Sequence, residues 1–187
     1  MRMTEATTPD ELWVFGYGSL IWRPGFDFVE RAGARLHGFH RALCIYSHVH
    51  RGTPETPGLV LGLDRGGICR GVAFRIAAEQ AAETIDYLRA REQATSVYLE
   101  RRLAVRLDDG RRLTALTYVA DRAHSQYAGR LPETAVLGFV RQGKGVSGEN
   151  PDYVRRTQEH LHEMGIHDPL LAHLVAELDK AASPVSP

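Results

Sequence analysis

The sequence predicts an α+β fold, in which strands and helices occupy separate stretches of the chain. Short apolar runs broken by glycines dominate the first part, an amphipathic helix follows, and a β-hairpin and two helical segments complete the chain. Strands and helices do not alternate one by one, so the order disfavours a doubly wound parallel sheet. No internal repeat divides the chain into modules.

The first strands are predicted from apolar runs and the turn residues around them. Residues 12–15 form a short apolar run that predicts a buried strand, and residues 36–49 predict a second strand region. Residues 58–63 and 71–76 are predicted to pair as a hairpin, because the turn sequence Asp64-Arg65-Gly66-Gly67 separates them. The first part of the chain is therefore predicted to be rich in β-structure.

The clearest helix is predicted to begin at Ala78. Its apolar residues recur with the 3.6-residue period of an amphipathic helix. They are Ala78, Ala81, Ala82, Ile85 and Leu88. The next position on the same stripe is Glu92, which makes this glutamate a candidate for a partly buried carboxylate.

A hairpin and two helices are predicted after that helix. Apolar and polar residues alternate from Val97 to Leu107, and Asp109-Gly110 predicts a tight turn before the returning strand. The two closing helices are predicted to start at Asn150-Pro151 and at Asp168-Pro169. In each case a capping side chain precedes a proline at the first helical position.

Length and composition predict one globular domain over residues 12–178, with flexible ends at 1–11 and 181–187. Lys and Arg number 23 and Asp and Glu also number 23, so no net positive field favours binding to nucleic acid or to an anionic membrane. No apolar stretch approaches the ~18 residues of a membrane span, and no export signal is visible. Two cysteines fit a reducing, cytoplasmic location.

The first candidate site is the glycine turn after the first apolar run. Gly16, Tyr17, Gly18 and Ser19 place two glycines around a tyrosine, so that backbone amides and a hydroxyl could hold a small anionic group such as a carboxylate. The alternative is an ordinary tight turn without a ligand. A dinucleotide fingerprint is excluded, because Ile21 stands where its third glycine would be.

Glu92 is the second candidate, and its spacing leaves two interpretations open. On the buried stripe of a helix it would be partly desolvated, with a raised pKa that suits a general base. If the helix ends earlier, Glu92 would pair with Arg89 or Arg91 in solvent. Two further arginines, Arg51 and Arg41, are each either a carboxylate ligand or an ordinary surface residue.

Three other kinds of site are disfavoured. Residues 138–145 resemble a Walker A loop but place Gly145 at the position of the magnesium-binding Ser or Thr. The pair His48 and His50 lacks a convincing third ligand for a metal. Ser19 is not set in the GxSxG motif of a hydrolase nucleophile. The sequence therefore predicts no metal and no nucleotide.

Several segments, taken in their order and spacing, resemble one known family. They are Val14-Phe15-Gly16-Tyr17-Gly18-Ser19-Leu20-Ile21-Trp22, Arg51-Gly52-Thr53-Pro54-Glu55 with Pro57-Gly58, Arg70-Gly71-Val72-Ala73-Phe74-Arg75, and Arg91-Glu92 with Tyr98. Together they are similar to the ChaC family of γ-glutamylcyclotransferases over most of the chain. The sequence departs from the family at Ser96, where the family often has glycine.

The resemblance implies a small mixed β-barrel flanked by helices. It also implies cleavage of glutathione to 5-oxoproline and cysteinylglycine, without a cofactor or a metal. On this basis Glu92 matches the catalytic glutamate, and Gly16, Tyr17, Gly18, Ser19, Leu20 and Ile21 match the substrate-binding loop. Arg51 and Tyr98 are further expected substrate contacts. The alternatives are a cyclotransferase for other γ-glutamyl peptides or amines, and a regulatory module that binds γ-glutamyl compounds without catalysis.

Overall fold

The computed structural model describes residues 11–182. Residues 1–10 and 183–187, which belong to the ends predicted to be flexible, lie outside the described residues. Residues 181 and 182 were included in the predicted flexible end, but they are helical and form the last part of a terminal helix.

The described chain contains seven strands, four α-helices and one short 3₁₀ helix. In chain order they are β1 (Leu12–Gly16), β2 (Glu30–Ser47), β3 (Gly58–Ile76), the 3₁₀ helix (Ala78–Gln80), α1 (Ala81–Glu92), β4 (Tyr98–Leu107), β5 (Arg112–Ala120), α2 (Glu133–Gln142), β6 (Lys144–Gly145), β7 (Gly148–Glu149), α3 (Asn150–Glu163) and α4 (Pro169–Ala182).

Five strands form a closed barrel in the order β1-β3-β2-β4-β5. β1 is antiparallel to β3, with Val14 opposite Phe74, and parallel to β5, where Val14 pairs with Leu116. The parallel pairing of β1 with β5 closes the ring and makes the barrel mixed. The small mixed β-barrel that the family resemblance implied is therefore confirmed.

The hairpin predicted within residues 58–76 is wrong, because these residues form one continuous strand, β3. Gly66 and Gly67 have positive φ values of 100° and 73°, so the turn signal was a real conformational feature. The strand nevertheless continues through it, since β3 lies between β1 and β2 in the barrel and is paired on both sides. The second predicted strand also begins earlier than expected, at Glu30.

The hairpin formed by β4 and β5 is confirmed. Gly110 occupies the turn with a φ of 96°, a left-handed conformation that glycine adopts without steric cost. Val105 and Leu107 of β4 and Ala115 of β5 point their side chains into the buried interior. The alternation of apolar and polar residues therefore predicted both the strand and its buried face.

The predicted helix begins with a 3₁₀ turn, and the α-helix proper starts at Ala81. Its buried face is rotated slightly from the predicted stripe. Thr84 and Leu88 are buried, while Ala78 and Ala82 are exposed. The helix extends to Glu92, so the interpretation that requires it to reach this residue is correct.

The described residues divide into two compact units, and the prediction of a single domain stays a prediction. The first unit contains residues 11–41 and 63–119, and the second contains residues 42–62 and 120–182. In the first unit the fully buried side chains include Phe15, Phe74 and Leu88. In the second unit, helices α2, α3 and α4 pack together and bury Val154 and Leu161.

The two terminal helices start where they were predicted, but only one is capped as expected. The Asp168 carboxylate accepts a hydrogen bond from the Leu171 amide at 3.1 Å, which is the predicted N-terminal cap of α4. Asn150 does not cap α3. It is completely buried. Its side-chain Oδ1 accepts a hydrogen bond from the Leu59 N–H at 2.7 Å, and its Nδ2 donates one to the Leu59 carbonyl at 2.8 Å. This asparagine therefore acts as a long-range clamp on β3.

Candidate active site

The glycine turn leaves the end of β1 and folds back on itself. The Ile21 amide donates to the Gly18 carbonyl at 2.9 Å, and the Arg23 amide donates to the Ser19 carbonyl at 2.8 Å. Leu20 and Ile21 are buried, whereas Ser19 is half-buried. The turn therefore uses its apolar side chains for packing and leaves backbone amides and the Ser19 hydroxyl as its polar groups.

Three consecutive amides of this turn are available for a ligand. Within residues 11–182, the N–H groups of Gly18, Ser19 and Leu20 donate to no main-chain carbonyl of the turn. Successive amides that point into one concave space can bind an anion or a developing oxyanion. Gly18 is not among the described glycines with positive φ, so the turn does not depend on a left-handed conformation at this position.

Gly71 of β3 packs closely against the start of the glycine turn. A Cβ atom at this position would overlap the Gly16 carbonyl oxygen and would come within 2.8 Å of the Phe15 ring. Arg41 adds a second support, because its Nε donates to the Tyr17 carbonyl and its Nη2 donates to the Arg70 carbonyl, both at 2.6 Å. Arg41 therefore braces the backbone of the turn, and its role as a ligand for a substrate carboxylate stays a prediction.

Substituting Gly71 with alanine is expected to lower the free energy of unfolding by about 1–3 kcal/mol, the usual effect of overpacking. The physical reason is the overlap with the Gly16 carbonyl, which is backbone and moves only with the turn. Gly138→Ala is the matched control: no atom lies within 4 Å of its Cβ position in α2, so that variant should gain up to about 1 kcal/mol. Urea denaturation of both variants checks the opposite signs; equal stability of Gly71→Ala and the original protein would contradict the close approach.

Glu92 is the last residue of α1, and its side chain is only 18% exposed. Burial raises the pKa of the Glu92 carboxyl above its ordinary value, and the positive charge of Arg91 partly opposes that rise. The Arg91 Nε lies 3.3 Å from the Glu92 Oε1. Each interpretation of Glu92 therefore agrees with one observation. The carboxylate pairs with Arg91, and it is largely shielded from solvent.

Arg91 connects the end of α1 to the glycine turn. Its Nη2 donates to the Ser19 Oγ at 2.8 Å, and its Nη1 donates to the Arg23 carbonyl at 2.7 Å and the Pro24 carbonyl at 3.1 Å. The structure therefore brings two of the predicted features together, the Ser19 turn and Glu92, through a residue to which the sequence assigned no such role. The signal for it was only its position beside Glu92.

A second polar group near Glu92 is the Tyr118 hydroxyl, which was not predicted from the sequence either. Tyr118 of β5 donates to the Glu100 Oε2 at 3.1 Å, and Arg89 contacts both oxygens of the same carboxylate at 2.8 and 2.9 Å. Burial and the Glu100 charge raise the pKa of the Tyr118 hydroxyl, and the Glu92 charge raises it further. Tyr118 therefore stays protonated and lies within electrostatic reach of Glu92.

Tyr98 and Ser96 lie just beyond the glutamate. Tyr98 is the first residue of β4 and is half-buried. Ser96 has a φ of 57° and is the only described residue other than glycine with a positive φ. This conformation costs an L-residue roughly 1–2 kcal/mol and costs glycine almost nothing.

Arg51 belongs to the second unit. Its Nη1 donates to the Glu149 carbonyl at 3.3 Å, and its guanidinium stacks on the Tyr153 ring at 5.4 Å. Burial lowers the pKa of Arg51, and no carboxylate of residues 11–182 forms an ion pair with it. Arg51 is thus a partly desolvated cation, and the nearby charge of Asp152 only partly opposes the lowering of its pKa.

The glycines of the Arg51 loop have a packing role. A Cβ at Gly52 would overlap the Gly58 amide, and a Cβ at Gly58 would overlap the Arg51 carbonyl. The loop therefore folds tightly against the start of β3 only because both positions lack a side chain.

The other candidate sites are occupied by ordinary structural contacts. Residues 138–145 cover the second half of α2 and all of β6, which is not the loop between strand and helix that a Walker A motif requires. His48 stacks on Tyr46, and His50 bonds Ser147 at 2.8 Å. The part of the chain that the structure describes holds no group of three or more His, Cys, Asp or Glu side chains with metal-binding geometry. No helix between residues 11 and 182 is long and apolar enough to span a membrane.

An open cavity of about 420 Å³ lies on the first unit beside Thr84 and Tyr87. Asp27 and Glu83 line it, and neither Glu92 nor the glycine turn does. Two carboxylates make it a poor site for an anionic ligand, so the turn and Glu92 remain the better candidate.

Comparison with known proteins decides the family. The profile described as ChaC-like protein matches residues 12–181. The chain belongs to the ChaC-like family. A glutathione-specific γ-glutamylcyclotransferase of Escherichia coli is 34% identical to this ChaC-like protein over 182 residues, which cover 96% of this chain and 79% of the relative. A glutathione-specific γ-glutamylcyclotransferase 1 of Mus musculus is 34% identical over 84% of this chain and 72% of its own.

A solved structure agrees with this assignment of the ChaC-like protein. The crystal structure of a γ-glutamyl cyclotransferase specific to glutathione from yeast superposes with a TM-score of 0.82. It is 25% identical and covers 91% of this chain and 96% of the yeast chain. The barrel and its helices are therefore those of the γ-glutamylcyclotransferase-like fold.

Proposed function

We propose that this ChaC-like protein is a lyase, a glutathione-specific γ-glutamylcyclotransferase that releases 5-oxoproline and cysteinylglycine. The observation that carries the proposal is the largely buried carboxylate of Glu92 at the end of α1, joined through Arg91 to a turn with available amides. The names of the bacterial and mouse relatives support glutathione as the substrate.

The substrate supplies its own nucleophile. In a γ-glutamyl group the α-amine and the γ-carbonyl belong to the same molecule, so closing a five-membered ring brings them together at a high effective concentration. The protein then has to hold the folded substrate and move protons, tasks that need no metal or cofactor.

Glu92 is proposed as the acid/base. Its carboxylate accepts a proton from the α-ammonium, and the neutral amine forms a C–N bond with the γ-carbonyl carbon. As the C–N bond to cysteine breaks, the protons lost by the ring nitrogen pass to the departing nitrogen, so none is gained or lost overall. A carboxyl group whose pKa is raised by burial holds and returns protons nearer neutral pH than an exposed one.

The glycine turn is proposed to bind the substrate and its developing charge. The amides of Gly18, Ser19 and Leu20, which donate to no carbonyl of the turn, are proposed to bind a carboxylate or an oxyanion, while Gly16, Tyr17 and Ile21 hold the turn in place. Tyr98 remains a proposed contact. Arg51 also remains one, because a partly desolvated cation gains more from an anionic ligand than a solvated one.

The proposal is tested by incubating the purified protein with glutathione or with γ-glutamyl-alanine and measuring 5-oxoproline. We expect release from glutathione, at a rate that EDTA does not change. Release from γ-glutamyl-alanine alone would contradict the glutathione specificity, and loss of activity on EDTA treatment, restored by zinc or manganese, would contradict the metal-free reaction.

A regulatory module that only binds γ-glutamyl compounds makes a different prediction. Calorimetric titration with glutathione would then show stoichiometric binding, and no product would form over hours. We also propose a cytoplasmic location, which the composition supports, because two cysteines are too few for a disulfide scaffold.

A further inference from the structure

Arg91 has an unusual set of partners for a helical arginine. Four of them are oxygen atoms outside Glu92: the Ser19 Oγ, the Arg23 and Pro24 carbonyls, and the Tyr87 hydroxyl at 3.1 Å. Its side chain is only 21% exposed. The guanidinium thus lies between the chain that leaves the glycine turn and the end of the helix that carries Glu92.

We propose that Arg91 is a positioning residue that sets the distance between the substrate held by the glycine turn and the Glu92 carboxyl. This inference rests on the proposed function and deepens it. Ser19 in the turn and Glu92 on the helix are 73 positions apart in the sequence. The Arg91 side chain contacts both residues and so links the turn to the end of the helix.

The geometry requires an arginine. A guanidinium presents five N–H donors in a rigid plane, so one side chain can serve Ser19, two carbonyls and Glu92 in different directions. A lysine ammonium has three donors at one point and cannot reach both ends of this set. Because the Ser19 Oγ accepts from Arg91, its own hydrogen is left to donate, and Arg91 thereby orients the hydroxyl toward a ligand that accepts hydrogen bonds.

Arg91 also acts on the charge of Glu92. The described groups that interact with the Glu92 carboxylate are Arg91 on α1, which lowers its pKa, and Tyr118 on β5, whose hydroxyl is neutral. Removing the Arg91 charge therefore leaves the burial of Glu92 unopposed, and the pKa of the carboxyl should rise. Hydrogen bonding and charge can be separated, because lysine keeps the charge and loses the planar set of donors.

The test compares Arg91→Lys, Arg91→Gln and the control Arg89→Gln in steady-state assays of 5-oxoproline release. Arg89 is on the same helix, pairs with Glu100 and makes none of the contacts to the turn. We expect kcat/KM to fall about 10- to 100-fold in both Arg91 variants, the effect of losing one or two charge-assisted hydrogen bonds, with KM raised and kcat lowered. Arg89→Gln should stay within about 2-fold of the original protein.

The pH dependence distinguishes positioning from a merely structural role. The acidic limb of kcat/KM reports the Glu92 carboxyl of the free protein. It should move to higher pH in Arg91→Gln and stay in place in Arg91→Lys, since only the first variant loses the charge. Variants that are less stable but have unchanged kcat/KM per folded molecule, or an unmoved limb in Arg91→Gln, would overturn the proposal.

A measurement without turnover keeps the inference separate from the proposed function. If the original protein releases no 5-oxoproline, the proposed function fails, but the pKa of Glu92 can still be followed by ¹³C NMR of labelled glutamate. It should be higher in Arg91→Gln than in Arg91→Lys, and amide hydrogen exchange of residues 17–24 should be faster in both than in Arg89→Gln. Equal pKa values and equal exchange in all three variants would overturn the positioning role.

Discussion

Replacing Glu92 with glutamine is expected to lower kcat for 5-oxoproline release by about 10²-fold to 10⁴-fold, the usual contribution of a positioned acid/base. Glutamine keeps the shape of the side chain and one oxygen acceptor, but it cannot take a proton near neutral pH. Substrate should still bind, because the amides of Gly18, Ser19 and Leu20 are unchanged. Glutathione affinity and product release are measured on the same folded preparation.

The same variant should be at least as stable as the original protein at neutral pH. Because burial raises the folded-state pKa of Glu92, the folded protein holds more protons than the unfolded chain between the two pKa values. The Glu92 carboxyl therefore contributes to stability at pH values below its pKa in the unfolded chain. This contribution is lost as the pH rises through its pKa in the folded protein. The melting temperature of Glu92→Gln relative to the original should accordingly rise from acidic to neutral pH.

Glu79→Gln is the matched control for this prediction. Glu79 is exposed and lies in the 3₁₀ turn before the same helix, so removing its charge should leave kcat and the melting temperature unchanged. Turnover of Glu92→Gln equal to that of the original protein would contradict the acid/base role. A drop of similar size in Glu79→Gln would show that the loss comes from the charge of this region rather than from Glu92.

Replacing Asn150 with aspartate is expected to lower the free energy of unfolding by about 2–4 kcal/mol at pH 7, a large part of the ~5–15 kcal/mol typical of a domain. The carboxylate can still accept from the Leu59 N–H, but it has no N–H to donate, so the Leu59 carbonyl is left unsatisfied in the interior. Urea denaturation of the variant measures the loss.

The cost of this substitution should depend on pH. A buried carboxyl beside a carbonyl is favoured in its protonated form, so the folded-state pKa of the new aspartate should lie above the ~3.9 of an unfolded chain. Its destabilising effect should be smallest near pH 4 and should grow toward neutral pH. Glu149→Gln, a substitution at the exposed neighbouring residue, should change the free energy of unfolding by no more than about 0.5 kcal/mol. A pH-independent loss in Asn150→Asp would contradict the role of the missing donor.

Local patterns predicted the elements whose structure depends on neighbours in sequence. The β4–β5 hairpin follows from alternation around Asp109-Gly110, and α1 follows from its 3.6-residue period. The Asp168 cap of α4 needs only an amide three residues away. These features are determined within a few residues, so the sequence is sufficient to locate them.

Long-range pairing overrode equally good local signals elsewhere. Gly66 and Gly67 carry the conformation of a turn, yet β3 continues because β1 and β2 pair with it on either side. Asn150 has the sequence of a helix cap, yet its side chain bonds Leu59, which lies 91 residues away. A hydrogen bond to a buried backbone group contributes more to stability than one to an exposed helix end, because the buried group has no water to bind instead. The local sequence does not show which backbone groups will be buried.

The candidate site divides in the same way. The sequence by itself determined the positions of the glycine turn and of Glu92, because Gly16 and Gly18 flank one tyrosine after an apolar run and Glu92 continues the apolar stripe of a helix. Only the tertiary structure decided that Arg91 joins them, that Gly71 must lack a side chain beneath the turn, and that Tyr118 lies within reach of Glu92. The physical reason is that burial and hydrogen-bond partners are properties of the closed barrel, which brings together residues up to a hundred positions apart.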